Sequence, residues 1–356
     1  MVGGDLEIEK AIHHLSPLTH LSMPQPIRIA IYGAGKFANQ THLPNLKQIA
    51  GVDLVAVCDV NKEALQDTAA RFGIRHTYTD AQTMLASETI DGLYSIVPAY
   101  VRTDVEISAA LKGIHLFSEK PQALDMALAR RIDDAIHKGG VISTVGFRER
   151  YRPIFQEAKR LLKDKRVVHA RFQQIGPYPD PTNHKGPSWW TQMEKGGVRF
   201  FDWGVHATDY LRYMTGQDVT RSQAFICQPD GYHNPMSSSF HYQLSEGATA
   251  NLTFIEADPT GLGEEPYFKI YFEGGRLAIF GYERIELNDE VVYDATPFNP
   301  WLLQDQTFIE AIRTNKPDLL LSDYHDGLKS LAPILAGWIS TRQNGTSIDL
   351  DAFMNQ

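Results

Sequence analysis

The segment Ile27 to Ala38, IRIAIYGAGKFA, decides how the chain has to be read. Its first half is a short apolar run of the kind that forms a strand buried on both faces. It then breaks on Gly33 and Gly35 and opens into a helical pattern through Asn45 to Ile49. Such a strand, ending on glycines and opening a helix, aims backbone N–H groups and the positive end of a helix dipole at one spot, where a pyrophosphate fits. Gly33 allows the tight turn, Gly35 lets the phosphates approach, and Ala38, in the third small position, keeps helix and strand close. Lys36 and Phe37, between them, complete the expected cofactor contacts of this loop. The next apolar run, VDLVAVCDV, ends on Asp59, 24 residues after Gly35, near the spacing at which an acid meets the adenosine ribose. A carboxylate there repels the 2′-phosphate of NADP, and the following residue is Val60 rather than an arginine. NAD is therefore the expected cofactor, with NADP kept open by the nearby Lys62.

Outward from this segment the βα alternation continues. Helical patterns over Lys62 to Phe72, Asp104 to Lys112 and Ala123 to His137 separate the strands GLYSIV, IHLFSEKP and VISTVGF. The expectation is a doubly wound parallel sheet, a Rossmann domain over residues 24–147. Pro98 and Glu119 fall at strand ends on the ligand edge and join the expected cofactor contacts. The strand from Ile114 ends in Glu119-Lys120-Pro121. Because proline cannot continue a ladder, Lys120 is left at the carboxyl end of a parallel strand, where such sheets bind ligands. Whether the Lys120-Pro121 bond is cis is not legible in sequence.

After Phe147 the texture changes to long alternating runs such as SSSFHYQLS, ATANLTFIEA and YFKIYFEGG. These predict a second domain, residues 148–356, built as an open-faced, mostly antiparallel sheet with helices on one face, an α+β arrangement. Phe240, Tyr242, Phe254, Phe268, Tyr271 and Phe272 read as core, and an open sheet face with this many aromatics is also a candidate subunit interface. Within this domain, GGVRFFDWGVHATDYLRYMTG (196–216) reads as a helix closed by Gly216. Phe200, Trp203, Ala207, Tyr210, Leu211 and Met214 form its apolar stripe, while Asp202, His206, Asp209 and Tyr213 recur on another face. On this segment alone, an Asp and a His that merely face water explain the pattern.

At 356 residues the chain exceeds what one core usually serves, so two domains are expected. A net charge of -9 with no long basic run argues against nucleic acid or an anionic membrane as the partner and favours a small-molecule substrate. Cys58 and Cys227, far apart, give neither a disulfide framework nor metal-ligand spacing, so no metal is expected and a cytoplasmic setting suits them. Residues 1–23 lack the basic start and apolar core of a signal peptide and read as a loose N-terminal extension, with His13, His14 and His20 at the surface. No window approaches the run of apolar residues that a membrane span needs.

Taken together, GAGKFANQTHLPNL, ALKGIHLFSEKP, the run ending GFRERYRP, the 196–216 segment and SDYHDGLKSL resemble, in order, the motifs of the glucose-fructose oxidoreductase, inositol dehydrogenase and rhizopine-catabolism (Gfo/Idh/MocA) family, from Ile27 nearly to the C-terminus. The resemblance implies a Rossmann domain followed by an open-faced sheet whose free face makes homodimers or homotetramers. It also implies that Lys120, Asp202 and His206 converge on substrate beside the nicotinamide. The implied activity is NAD(P)-dependent hydride transfer to or from a secondary alcohol or ketone of a sugar, polyol or related cyclic compound. His206 would be the general acid/base and Lys120 the cation that stabilises the alkoxide. A non-catalytic nucleotide- or sugar-binding regulator and an NAD-dependent glycosidase are the alternatives the fold allows.

Three departures bear on substrate. Ala99 and Arg102 stand where members often have Asn and His. Arg148 stands where Asn often precedes the Arg-Tyr/Phe-x-Pro motif, leaving Arg150 in the usual arginine place. Thr191, not arginine, follows Trp190. Arg148, Arg150, Trp190 and Asp202 are the expected substrate contacts. An Arg148 or Arg102 facing the crevice would grip a carboxylate, pointing to acidic substrates; the alternative is that both make structural ion pairs.

Overall fold

The computed structural model describes residues 25–177, 189, 192–232, 234–258 and 260–355. Strands β1 (Ile27–Tyr32), β2 (Val52–Cys58), β3 (His76–Tyr78), β4 (Gly92–Ser95), β5 (His115–Ser118) and β6 (Ser143–Val145) form one sheet in the order β3-β2-β1-β4-β5-β6. Every pairing in it is parallel. The strand order reverses between β1 and β4, which opens a crevice at their carboxyl ends. Helices between the strands start where the sequence supplies caps. Asn61 accepts the N–H groups of Glu63 and Ala64 ahead of the helix Lys62–Phe72, and Asp125 accepts that of Leu128 ahead of Met126–Gly139; each cap contributes about 1 kcal/mol. The helix after the glycine loop begins with a π turn, Ala38–His42, before becoming α-helical at Leu43–Gln48.

The second sheet has nine strands: β7 (Val167–Gly176), β8 (Val219–Cys227), β9 (Ser237–Leu244), β10 (Thr249–Glu256), β11 (Phe268–Phe272), β12 (Gly275–Phe280), β13 (Arg284–Leu287), β14 (Glu290–Asp294) and β15 (Ile348–Asp349). Their order is β14-β13-β12-β11-β7-β10-β9-β8-β15, with β7 and β10 parallel and the other pairs antiparallel. The helices Arg199–Thr215 and Tyr324–Thr341 cover its inner face. Phe240, Tyr242, Phe254, Phe268 and Phe272 are all buried there. The outer face is mostly polar instead: His169 pairs with Thr249, and Asn251 donates to Ser239 and accepts from Thr253, with Phe225 exposed at 51%. Of the six aromatics considered for an interface, Tyr271 alone is not buried, because strand alternation sends the others inward.

Packing crosses the boundary drawn at residue 147. The helix Pro300–Thr314 returns to the parallel sheet, where Phe308, Ile309 and Ala311 join Ile29, Ile31, Tyr94 and Phe117 in a single core. Phe308 meets the rings of Tyr94 and Phe117 at 5.6 Å each, edge to face. Alternation along a strand cannot reveal which sheet a later helix will cover. Among the described residues, no helix is long and apolar enough to cross a membrane.

Candidate active site

The glycine loop is built around backbone contacts that exclude side chains. Gly33 has φ +107° and donates its N–H to the Cys58 carbonyl at 2.8 Å. A Cβ on it would lie 2.3 Å from the Ile96 carbonyl oxygen, so only glycine fits. Asn39 ties the loop down, donating to the Ala34 and Gly35 carbonyls. Asp59, at the end of β2, accepts the Ala34 N–H at 2.7 Å on one oxygen and the Asn61 N–H at 2.8 Å on the other. Each oxygen keeps lone-pair capacity for a ligand hydroxyl. Gly35, Lys36 and Phe37 are exposed, and a Cβ on Gly35 would meet nothing within 4 Å, so the loop presents an open cradle beside a helix start. These features fit a dinucleotide.

His42, four residues beyond Ala38, connects this loop to the rest of the site. Its ring is fully buried, with Nδ1 2.8 Å from Asp305 and Nε2 3.1 Å from Glu119. Burial opposes a charge on the ring, but Asp305 and Glu119 outweigh it and raise its pKa to about 10. Glu119 in turn packs against Gly146, where a Cβ would lie 2.4 Å from Oε1, and accepts the Lys120 N–H at 3.1 Å. The chain of contacts thus runs from nucleotide loop to His42, to Glu119, to Lys120. The Lys120-Pro121 bond is cis.

Lys120 pairs through Nζ with Asp202 Oδ1, and the two side chains are 11% and 27% exposed. One turn along the helix Arg199–Thr215, His206 is 2% exposed. Its Nε2 lies 2.9 Å from Nη1 of Arg148, and its Nδ1 has no hydrogen-bond partner. The ring stacks on Tyr210 at 5.7 Å. Burial, then the Lys120 and Arg148 charges, holds its pKa well below the usual value, so it is neutral at pH 7. The expected trio is therefore brought together: a cation, a carboxylate and a neutral imidazole on one wall.

Other expected residues are placed differently. Arg150 donates to Asp209 through Nε and Nη2, to Asp326 at 2.7 Å and to the Leu321 carbonyl at 2.6 Å. It is a buried cross-tie, not an open substrate contact. Arg102 is likewise buried, donating to Glu106 and Ser118 at 2.8 Å each and to the Glu119 carbonyl. It holds the Glu119-Lys120 corner from behind. Glu119, expected against the cofactor, has its carboxylate turned to His42 and the Lys120 N–H, because a buried carboxylate takes the nearest donors. Pro98 is half-buried just past β4. Trp190, Thr191 and the 1–23 extension lie outside the described residues.

The sequence reading missed His42, although it sits inside a quoted motif; a histidine four residues past the third small position was the available signal. It also missed Trp301, whose ring lies 4.7 Å under the Arg148 guanidinium, and Tyr100, which meets Trp189 at 6.0 Å and Lys195 at 5.3 Å. The last two contacts bring the second domain over the rim of the parallel sheet.

Comparison with known proteins agrees with this layout. The oxidoreductase family with an NAD-binding Rossmann fold, GFO_IDH_MocA, matches residues 27–147, and the GFO/IDH/MocA C-terminal domain matches 155–278. The chain is 26% identical over 262 residues to scyllo-inositol 2-dehydrogenase (NAD(+)) of Bacillus subtilis, covering 73% of this chain and 70% of that one. It is 26% identical to 4-carboxy-2-hydroxymuconate-6-semialdehyde dehydrogenase of a Sphingobium species, covering 82% and 91%. The WlbA dehydrogenase of Bordetella pertussis, solved in complex with NADH and UDP-GlcNAcA, has the same fold, with a TM-score of 0.79 at 22% identity over 92% of this chain and 99% of that one. By its nucleotide loop, its two sheets in order and these matches, the chain belongs to the Gfo/Idh/MocA family of oxidoreductases.

Proposed function

We propose that the protein is an NAD-dependent dehydrogenase acting on a secondary alcohol, or the matching ketone, of a sugar, polyol or related cyclic compound. The observation that carries this is the juxtaposition of Lys120, Asp202 and neutral His206, linked through Glu119 and His42 to the nucleotide loop. Oxidising such an alcohol removes a proton from oxygen and a hydride from carbon. The bound dinucleotide supplies the hydride acceptor. His206, neutral and nine-tenths or more buried, takes the hydroxyl proton, a role worth about 10²–10⁴-fold. Lys120 stabilises the alkoxide as it forms, and Asp202 anchors a neighbouring hydroxyl while holding the ammonium in place. In the reductive direction His206 returns the proton. Relatives named for inositol, apiose and glucoside oxidation support this substrate class. Asp59 at the cradle rim favours NAD over NADP.

The test is incubation with NAD and a panel of sugars, inositols and sugar acids, following absorbance at about 340 nm, the band of the reduced nicotinamide. NADH formation with at least one of them is the expected result. No NADH with any, together with tight sugar binding, would favour a regulator, and release of a leaving group without net cofactor change would favour a glycosidase. The same reading extends to a cytoplasmic homodimer or homotetramer joined through the polar outer face of the nine-stranded sheet. Such an interface would be wet and hydrogen-bonded, and sedimentation would report it.

A further inference from the structure

In this structure the base of the proposed reaction is capped. A guanidinium has no lone pair, so the 2.9 Å contact makes Arg148 the donor and His206 Nε2 the acceptor. A neutral imidazole has one ring lone pair, and here Arg148 occupies it. The proton is then on Nδ1, which is buried without a partner. A substrate hydroxyl can pass its proton to Nε2 only after Arg148 gives up that position.

The surroundings of Arg148 determine what can move it. Its guanidinium rests over the Trp301 ring, and its Nε lies 3.0 Å from Glu149 Oε1. Glu149 is shared: it also pairs with Arg152 and accepts the Tyr282 hydroxyl at 3.2 Å. Two guanidiniums therefore divide one buried carboxylate, while the Nη1 arm of Arg148 faces an uncharged ring nitrogen. Its side chain is 13% exposed, more than the 8% of Arg150 and the 0% of Arg102. By contrast Arg150, and both Nη arms of Arg102, end on carboxylates, a hydroxyl and carbonyls. Arg148 is the one of the three whose fork ends on a poor partner.

We infer that Arg148 is a substrate latch: the carboxylate of an acidic sugar or hydroxy acid draws its Nη1 arm off His206, and the same movement binds the substrate and frees the base. This rests on the dehydrogenase reading above and names its substrate class. A planar carboxylate matches the guanidinium fork and offers it the charge that the imidazole lacks. A neutral polyol must break the Arg148 to His206 bond and return nothing of equal strength to the cation. The anion also opposes the nearby positive charge that weakens His206 as a base. Arg148 is on this account a specificity and positioning residue, and it takes no proton itself.

The test uses matched acid and neutral probes, D-gluconate with D-glucitol and D-glucuronate with D-glucose, on the wild-type protein and on Arg148→Gln. Two readouts are taken: NADH formation, and calorimetric binding to the protein preloaded with NADH. The wild type is expected to favour the acid of a pair by at least about tenfold in kcat/KM, and Arg148→Gln to collapse that ratio to near unity through KM and kcat together. Arg148→Lys, which keeps charge and loses the fork, should retain part of the ratio and serves if Arg148→Gln does not fold. Equal losses on acid and neutral probes, or a wild type that favours the neutral member, would overturn the latch while leaving the dehydrogenase reading intact. Acid binding that depends on Arg148 with no NADH from any probe would uphold the anion site and overturn the dehydrogenase reading.

Discussion

The two ends of the helix Arg199–Thr215 carry the same kinds of residue and treat them in opposite ways. Asp202 and His206, near its start, are poised: Asp202 is part-exposed against Lys120, and His206 has one nitrogen unpartnered and the other capped by Arg148. Asp209 and Arg212, one and two turns on, are closed. Asp209 is fully buried and accepts from Arg150 and Ser330; Arg212 reaches Asp218, Asp326 and Ser330. Asp202, His206 and Asp209 lie on the one face that periodicity assigns as polar, so facing the same way is not sharing a role. The difference is satisfaction. Where every donor and acceptor is met, polar groups hold elements together, and where one is left waiting, they are available to a ligand.

The closed end should fail first in stability. Asp209→Ala leaves the buried Arg150 with Asp326 and the Leu321 carbonyl but with Nε unpaired, and is expected to cost about 1–3 kcal/mol, read from the urea midpoint. A loss below about 1 kcal/mol would mean that the cluster is not the cross-tie described. A second way to sharpen the contrast is acid. Burial pushes the Asp326 carboxyl up, yet Arg150 and Arg212 outweigh it and hold the pKa at about 2. Its contribution is present above the ordinary carboxylate range and lost as pH falls through about 2. With the side chain 33% exposed, that contribution is at most about 2 kcal/mol and reduced by screening. In Asp326→Asn, the stability difference from wild type should therefore shrink between about pH 4 and pH 2. A difference that stays constant over that window would remove Asp326 from the closed end. Smaller still is the effect at the nucleotide rim. Asp59→Asn should raise the NADP to NAD ratio of kcat/KM by about tenfold, and an unchanged ratio would show that its carboxylate serves the loop alone.

Much of this was legible in the chain because the signals are local. The glycine loop, the strand that ends at Lys120 and the Asp202 to His206 spacing each lie within a dozen residues, and each is where the sequence placed it. What was not legible depends on contacts between distant elements. His42 shows its role only once Glu119 and Asp305 close on it from residues far along the chain. Arg148 and Arg150, two residues apart, are both expected substrate contacts in the sequence. Only the fold turns one toward His206 and the other into Asp209 and Asp326. Likewise the helix Pro300–Thr314 follows the second sheet in sequence and packs on the first.

The central claim, that one helix carries chemistry at its start and architecture at its end, is tested most directly by a matched pair of variants. Melting temperature and single-turnover hydride transfer should be measured together for His206→Asn and Asp209→Asn, with the best substrate of the panel. A crossed result is expected. His206→Asn should keep its melting temperature and lose about 10²–10⁴-fold in rate, whereas Asp209→Asn should melt earlier and, once folded, transfer hydride within about tenfold of wild type. Near-normal transfer by His206→Asn, or equal damage to both properties in both variants, would contradict it.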